Sequence, residues 1–155
     1  MDFESQGCTK RGIPEPDWFR LVVTLRTRVI EILSTLADSP PISALALDPL
    51  PWHGQLDLAL RLETDHQDFE LGDWSHPRYT EDALCPEVAQ AFRDYYELRT
   101  RVLDDAAGAK AKVLACCVTV LSDPEVMVLI TSLPGSPVPY VGDADDPEAR
   151  NLVGL

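Results

Sequence analysis

The sequence predicts an α+β domain: a small antiparallel sheet with helices packed on one face, in the order helix-strand-strand-helix-helix-strand. Three observations carry this reading. An apolar stripe at helical spacing runs through residues 18–36, strict apolar-polar alternation runs through residues 55–64, and a second helical stripe begins near Pro86. At 155 residues the chain is long enough to bury one core without staples. Residues 1–14 are polar and aperiodic and read as a flexible arm; residues 15–155 read as a single domain.

The elements follow in order. In the first helix Trp18, Leu21, Val22, Leu25, Val29, Ile32, Leu33 and Leu36 share one face. Pro16 and Asp17 suit its start, and Asp38-Ser39-Pro40-Pro41 stops it. Residues 42–48 read as a strand, followed by a loop from Pro49 to Gly54 that is too long for a tight turn. In the second strand Leu56, Leu58, Leu60 and Leu62 alternate with Asp57, Ala59, Arg61 and Glu63, which predicts one face on the core and one in water. Residues 65–84 carry Gly72, Pro77 and many polar side chains and read as an irregular loop. Val88, Ala91, Phe92, Tyr95, Leu98 and Val102 mark the second helix. Residues 106–121 begin with helix formers and end in an apolar run, and Ala109, Val113, Cys117 and Val120 keep helical spacing, so helix is chosen over strand. Residues 126–130 form a short continuous apolar run and read as a buried strand. The tail after Pro134 is rich in Pro, Gly and Asp, with a last helical turn expected from Pro147.

Composition bounds the function. Apolar residues at 45% and charged residues at 25% are ordinary for a globular chain, but the net charge of −13 is not. It argues against nucleic acid and anionic membrane surfaces, and it is compatible with a basic partner or simply with high solubility. The charge is uneven: residues 1–37 balance five acids with five bases, and the remainder holds 21 acids against 8 bases. No run approaches the ~20 apolar residues of a membrane span, and the N-terminus does not read as a signal peptide. Cys8, Cys85, Cys116 and Cys117 form no Cys-x-x-Cys pair, so a reducing cytoplasm is the expected compartment. Cys116 and Cys117 read as small core hydrophobes.

The candidate site lies after the second strand. Glu63, Asp65, Asp68, Glu70 and Asp73 follow one another with no Lys or Arg among them. Asp65, Asp68, Glu70 and Asp73, with Trp74 and Trp52 as aromatic anchors, are the candidate partner-binding residues. The alternative is a small metal-dependent hydrolase on the loops carrying His53, His66 and His76, with Asp57, Asp68 and Asp73 as carboxylate ligands. No His-x-His or His-Glu-x-x-His spacing supports it, and the acidic stretch lacks the EF-hand pattern for calcium. Cys85 at a helix start would need a His partner to act as a nucleophile. No nucleophile elbow or phosphate loop is present. No catalytic residue, metal or cofactor is expected. A structural subunit with incidental charge is a third reading.

Residues 55–74 and their surroundings resemble a bacterial family of domains of unknown function, DUF4303. The shared parts are the first helix at residues 18–36, the strand at residues 56–64, the element Leu71-Gly72-Asp73-Trp74-Ser75-His76, the helix at residues 88–102 and the late apolar run at residues 126–131. Asn151-Leu152 corresponds to a late element of the family's tail. The resemblance implies an immunity protein that neutralises a toxin domain; it implies no catalytic residues.

Overall fold

The computed structural model describes residues 13–65, 74–76, 79 and 84–143. Among the described residues, eight elements run in order: helix α1 (Trp18–Leu33), strand β1 (Ile42–Leu50), a 3-10 turn (Pro51–His53), strand β2 (Gln55–Leu62), helices α2 (Pro86–Leu103), α3 (Ala106–Leu121) and α4 (Pro124–Thr131), and strand β3 (Val138–Val141). The class is α+β. The sheet has the order β2-β1-β3, with β1 antiparallel to β2 and parallel to β3. It is therefore mixed rather than purely antiparallel, because the last strand arrives only after a crossover through three helices.

Local chemistry sets the helix boundaries. Asp17 caps α1 by accepting from the Arg20 amide at 3.1 Å, and Ser34 and Thr35 at its end turn their hydroxyls back onto the Ile30 and Ile32 carbonyls. Asp105 caps α3 through the Gly108 amide, so all of residues 106–121 are helical. Asp123 accepts from the Glu125 and Val126 amides and starts α4. This corrects the expectation of a strand at residues 126–130. Asp123-Pro124-Glu125 is a helix start, with a side-chain cap, Pro in the first turn and an acid beside the amide dipoles. Val126 and Ile130, four apart, then bury one stripe of a short helix.

The hairpin is tighter than expected. β1 continues to Leu50, opposite Gln55, so only Pro51 to Gly54 connects the strands. Gly54 closes the turn at φ 64°, a left-handed conformation that favours glycine. The last strand lies in what the composition presents as tail, because Pro139 and the neighbouring Gly and Pro residues mask it. Pro139 is tolerated because β3 lies at the sheet edge.

The main core lies between the helices and one sheet face. Leu45, Leu47, Leu56, Leu58 and Leu60 meet Leu25, Val29, Phe92, Val113, Cys117 and Val126. The opposite face, expected in water, is instead covered: Ala44, Ala46 and Ala59 form a small-residue floor beneath Trp74, with Tyr140 beside it. Alternation distinguishes the two faces of a strand, but it cannot say that the polar one is wet.

The free edge of β2 is covered as well. His76 pairs with Leu60, the Tyr79 amide donates to the Leu58 carbonyl at 2.8 Å, and the Leu84 amide donates to the Leu56 carbonyl at 3.1 Å. These bonds take up edge groups that would otherwise invite another strand. Among the described residues no single helix is long and apolar enough to cross a membrane. The helical turn expected from Pro147, and most of the N-terminal arm, lie outside the described residues.

Candidate functional site

The acidic stretch leaves the sheet and returns to it at one point. The Asp65 carboxylate accepts from the Leu62 amide at 2.8 Å, from the Ser75 amide at 3.0 Å and from the Ser75 hydroxyl at 2.6 Å. Desolvation opposes its ionisation, but those hydrogen bonds and the charge of His76 outweigh it, so Asp65 lies below the ordinary carboxylate range. Asp65 is thus a clasp at the base of the stretch. That changes its expected role, because neutralising it removes bonds that hold the chain together. Asp68, Glu70, Asp73 and His66 lie outside the described residues.

Trp74 stands beside this clasp and is only 7% exposed. Its ring sits on the alanine floor, with the Arg61 guanidinium 5.6 Å from its centroid and Tyr140 at 6.2 Å. Arg61 is itself buried and donates from Nε to the Ser43 hydroxyl at 2.8 Å. Trp74 is therefore a core ring that pins the returning chain, not a presented anchor. Trp52 is half-buried in the 3-10 turn and packs against Tyr96 of α2 at 5.8 Å. The two tryptophans pack on different elements and do not form one aromatic surface.

The two described histidines, His53 and His76, do not converge. His53 is exposed at the hairpin turn, next to Trp52, whereas His76 is exposed on the β2 edge, its ring 5.9 Å from that of Tyr79. No group of three His, Cys, Asp or Glu side chains among the described residues is arranged to hold a metal. Cys85 precedes α2 but is buried, and burial pushes its thiol up rather than activating it. Cys116 and Cys117 are core residues of α3; burial pushes Cys116 to about 11 and Cys117 well above its ordinary value.

One arrangement escapes the sequence reading. Asp48 and Asp57 face each other directly across the antiparallel pair. By alternation they lie on the face that carries Ala46 and Ala59, and Asp57 is 2% exposed. Burial, reinforced by the charge of Asp57, raises Asp48 to about 6. Both the burial and the charge of Asp57 therefore favour the protonated form of Asp48. The signal is present in the chain, since counting back equally from the hairpin turn places Asp48 opposite Asp57. A connection taken to run from Pro49 to Gly54 hides it, because it sets Asp48 opposite Gln55 instead of Asp57.

No family model, no curated protein and no solved structure matches this chain.

Proposed function

We propose that this chain is a non-enzymatic binding protein that takes up a basic protein partner through its acidic surface. The observation that carries the reading is the concentration of charge: five carboxylates and no base between Glu63 and Asp73, in a chain of net charge −13. The Asp65–Ser75 clasp and the buried Trp74 support it, because they hold both ends of that stretch against the sheet. An acidic surface on a firm base gives fast, electrostatically steered association with a basic partner. The resemblance to the toxin-immunity family makes a basic toxin domain the first partner class to test.

The test uses a toxin encoded beside this chain's gene. Co-expression should restore growth, and the purified pair should bind. The triple variant Asp68→Asn, Glu70→Gln, Asp73→Asn should associate more slowly at low salt. Its deficit should shrink as salt shortens the screening length to about 8 Å. Wild-type association by the triple variant at low salt would overturn the reading.

A further inference from the structure

A cleft of about 290 Å³ opens between the turn that follows α1, the start of β1 and the outer edge of β2. Its floor is apolar and buried, built from Leu36, Ile42 and Leu60. Its rim is polar and carries Asp38, His76 and Tyr79. The rim groups are held from below by backbone: His76 pairs with Leu60 and the Tyr79 amide bonds to Leu58. The Asp38 carboxylate is exposed and makes no hydrogen bond or ion pair with another described residue. An apolar floor with a few convergent polar groups has the character of a recognition pocket rather than of a packing gap.

We infer that this cleft receives an arginine side chain of a protein partner. The inference rests on the reading of the chain as a binder of basic proteins and names what anchors that partner. Size limits the occupant, because the cleft is at the small end of ligand pockets and suits a single long side chain. Charge selects a cation, since Asp38 is the acid on the rim and the whole chain is strongly negative. Shape selects arginine over lysine. The aliphatic stem lies on Leu36, Ile42 and Leu60, the planar guanidinium stacks on one ring of the perpendicular His76–Tyr79 pair, and its fork reaches Asp38. Arginine anchors seated in small pockets are frequent sources of interface affinity.

The experiment titrates the full chain with N-acetyl-arginine methylamide and, separately, with its neutral citrulline counterpart, following backbone amide NMR signals. The arginine probe should shift Leu36, Ile42, Leu60 and Tyr79 saturably. Citrulline should bind about fivefold more weakly, in line with an exposed ion pair. Asp38→Asn should reduce the arginine probe to the citrulline level, and Asp38→Lys should abolish the shifts; the position is exposed, so the amide spectrum of each variant should report an intact fold. Absence of saturable shifts, shifts centred elsewhere, or equal binding of arginine and citrulline overturns the inference. Such a failure is separable from failure of the acidic-surface reading, which is judged on partner association by the Asp68, Glu70 and Asp73 variant and not on the probe.

Discussion

Replacing Asp48 by Asn should stabilise this protein at neutral pH and do little in acid. Asp48 lies opposite Asp57 in the strand register, and burial followed by the charge of Asp57 raises it from 3.8 to about 6. A carboxyl whose folded value exceeds its unfolded value favours the protonated fold. Its stabilising contribution is fully present below the unfolded value and is lost as pH rises through the folded one. The window therefore runs from about 4 to about 6. At ~1.4 kcal/mol per pH unit, that window corresponds to a penalty of about 3 kcal/mol at neutral pH, an upper figure because Asp48 is partly exposed. Asn keeps the shape, cannot ionise and can donate to Asp57. Urea denaturation of wild type and Asp48→Asn at pH 4, 5, 6 and 7.5 checks this. The variant should gain about 2 kcal/mol at pH 7.5, which in a thermal melt is a midpoint rise of roughly 4–8 °C for a chain of this size, and the gain should vanish by pH 4. A gain that is the same at every pH would mean that Asn acts by packing, and no gain at pH 7.5 would mean that neither burial nor the charge of Asp57 disfavours the Asp48 carboxylate; either result refutes the argument.

Three further outcomes are expected. Asp65→Ala should cost about 1 kcal/mol at pH 7 through the lost bonds to Ser75 and Leu62; because Asp65 is held below the ordinary range, the cost should disappear as pH falls through its folded value, which denaturation at about pH 7 and about pH 2.5 would show. Trp74→Ala should cost about 3–5 kcal/mol with no partner present, since the ring is buried on the alanine floor; a loss under about 1 kcal/mol by chemical denaturation would return Trp74 to the surface. In a Cys8→Ser background, Cys85, Cys116 and Cys117 should react with a thiol reagent at pH 8 only as fast as the protein unfolds, because burial suppresses their thiolates; a rapid native-state reaction would place one of them in an open site.

Local chemistry makes much of this protein legible in its sequence. The stripe from Trp18 to Leu33 and the cap at Asp17 specify α1 wherever the helix ends up packing. The alternation of Leu56, Leu58 and Leu60 identifies which face of β2 meets the helices. Spacing through Ala109, Val113 and Cys117 makes α3 a helix against the β preference of its valines. The start of α4 is written in Asp123-Pro124-Glu125, but the apolar run behind it has the length of a buried strand and outweighs the cap in a reading by pattern alone.

Long-range arrangement is not legible in the same way. A strand's pattern does not say what covers its second face, so Trp74 reads as a presented anchor until the alanine floor of β1 and β2 and the Tyr140 ring are placed around it. β3 becomes a strand only because β1 offers a free edge to Val138, Pro139, Tyr140 and Val141; on their own they carry a turn-rich composition. The cleft joins residues from the turn after α1 with residues from the edge of β2, which share no local pattern. The α+β class, three of the four described helices and the strongly acidic character follow from the residues in order, because they depend on spacing, caps and ionisable groups within a few residues of one another. That Asp65 is a clasp, that Trp74 is core and that Asp48 meets Asp57 emerges only once the chain is folded. Burial and strand register are properties of contacts between distant segments, and those contacts set whether a carboxylate is solvated, bonded or opposed.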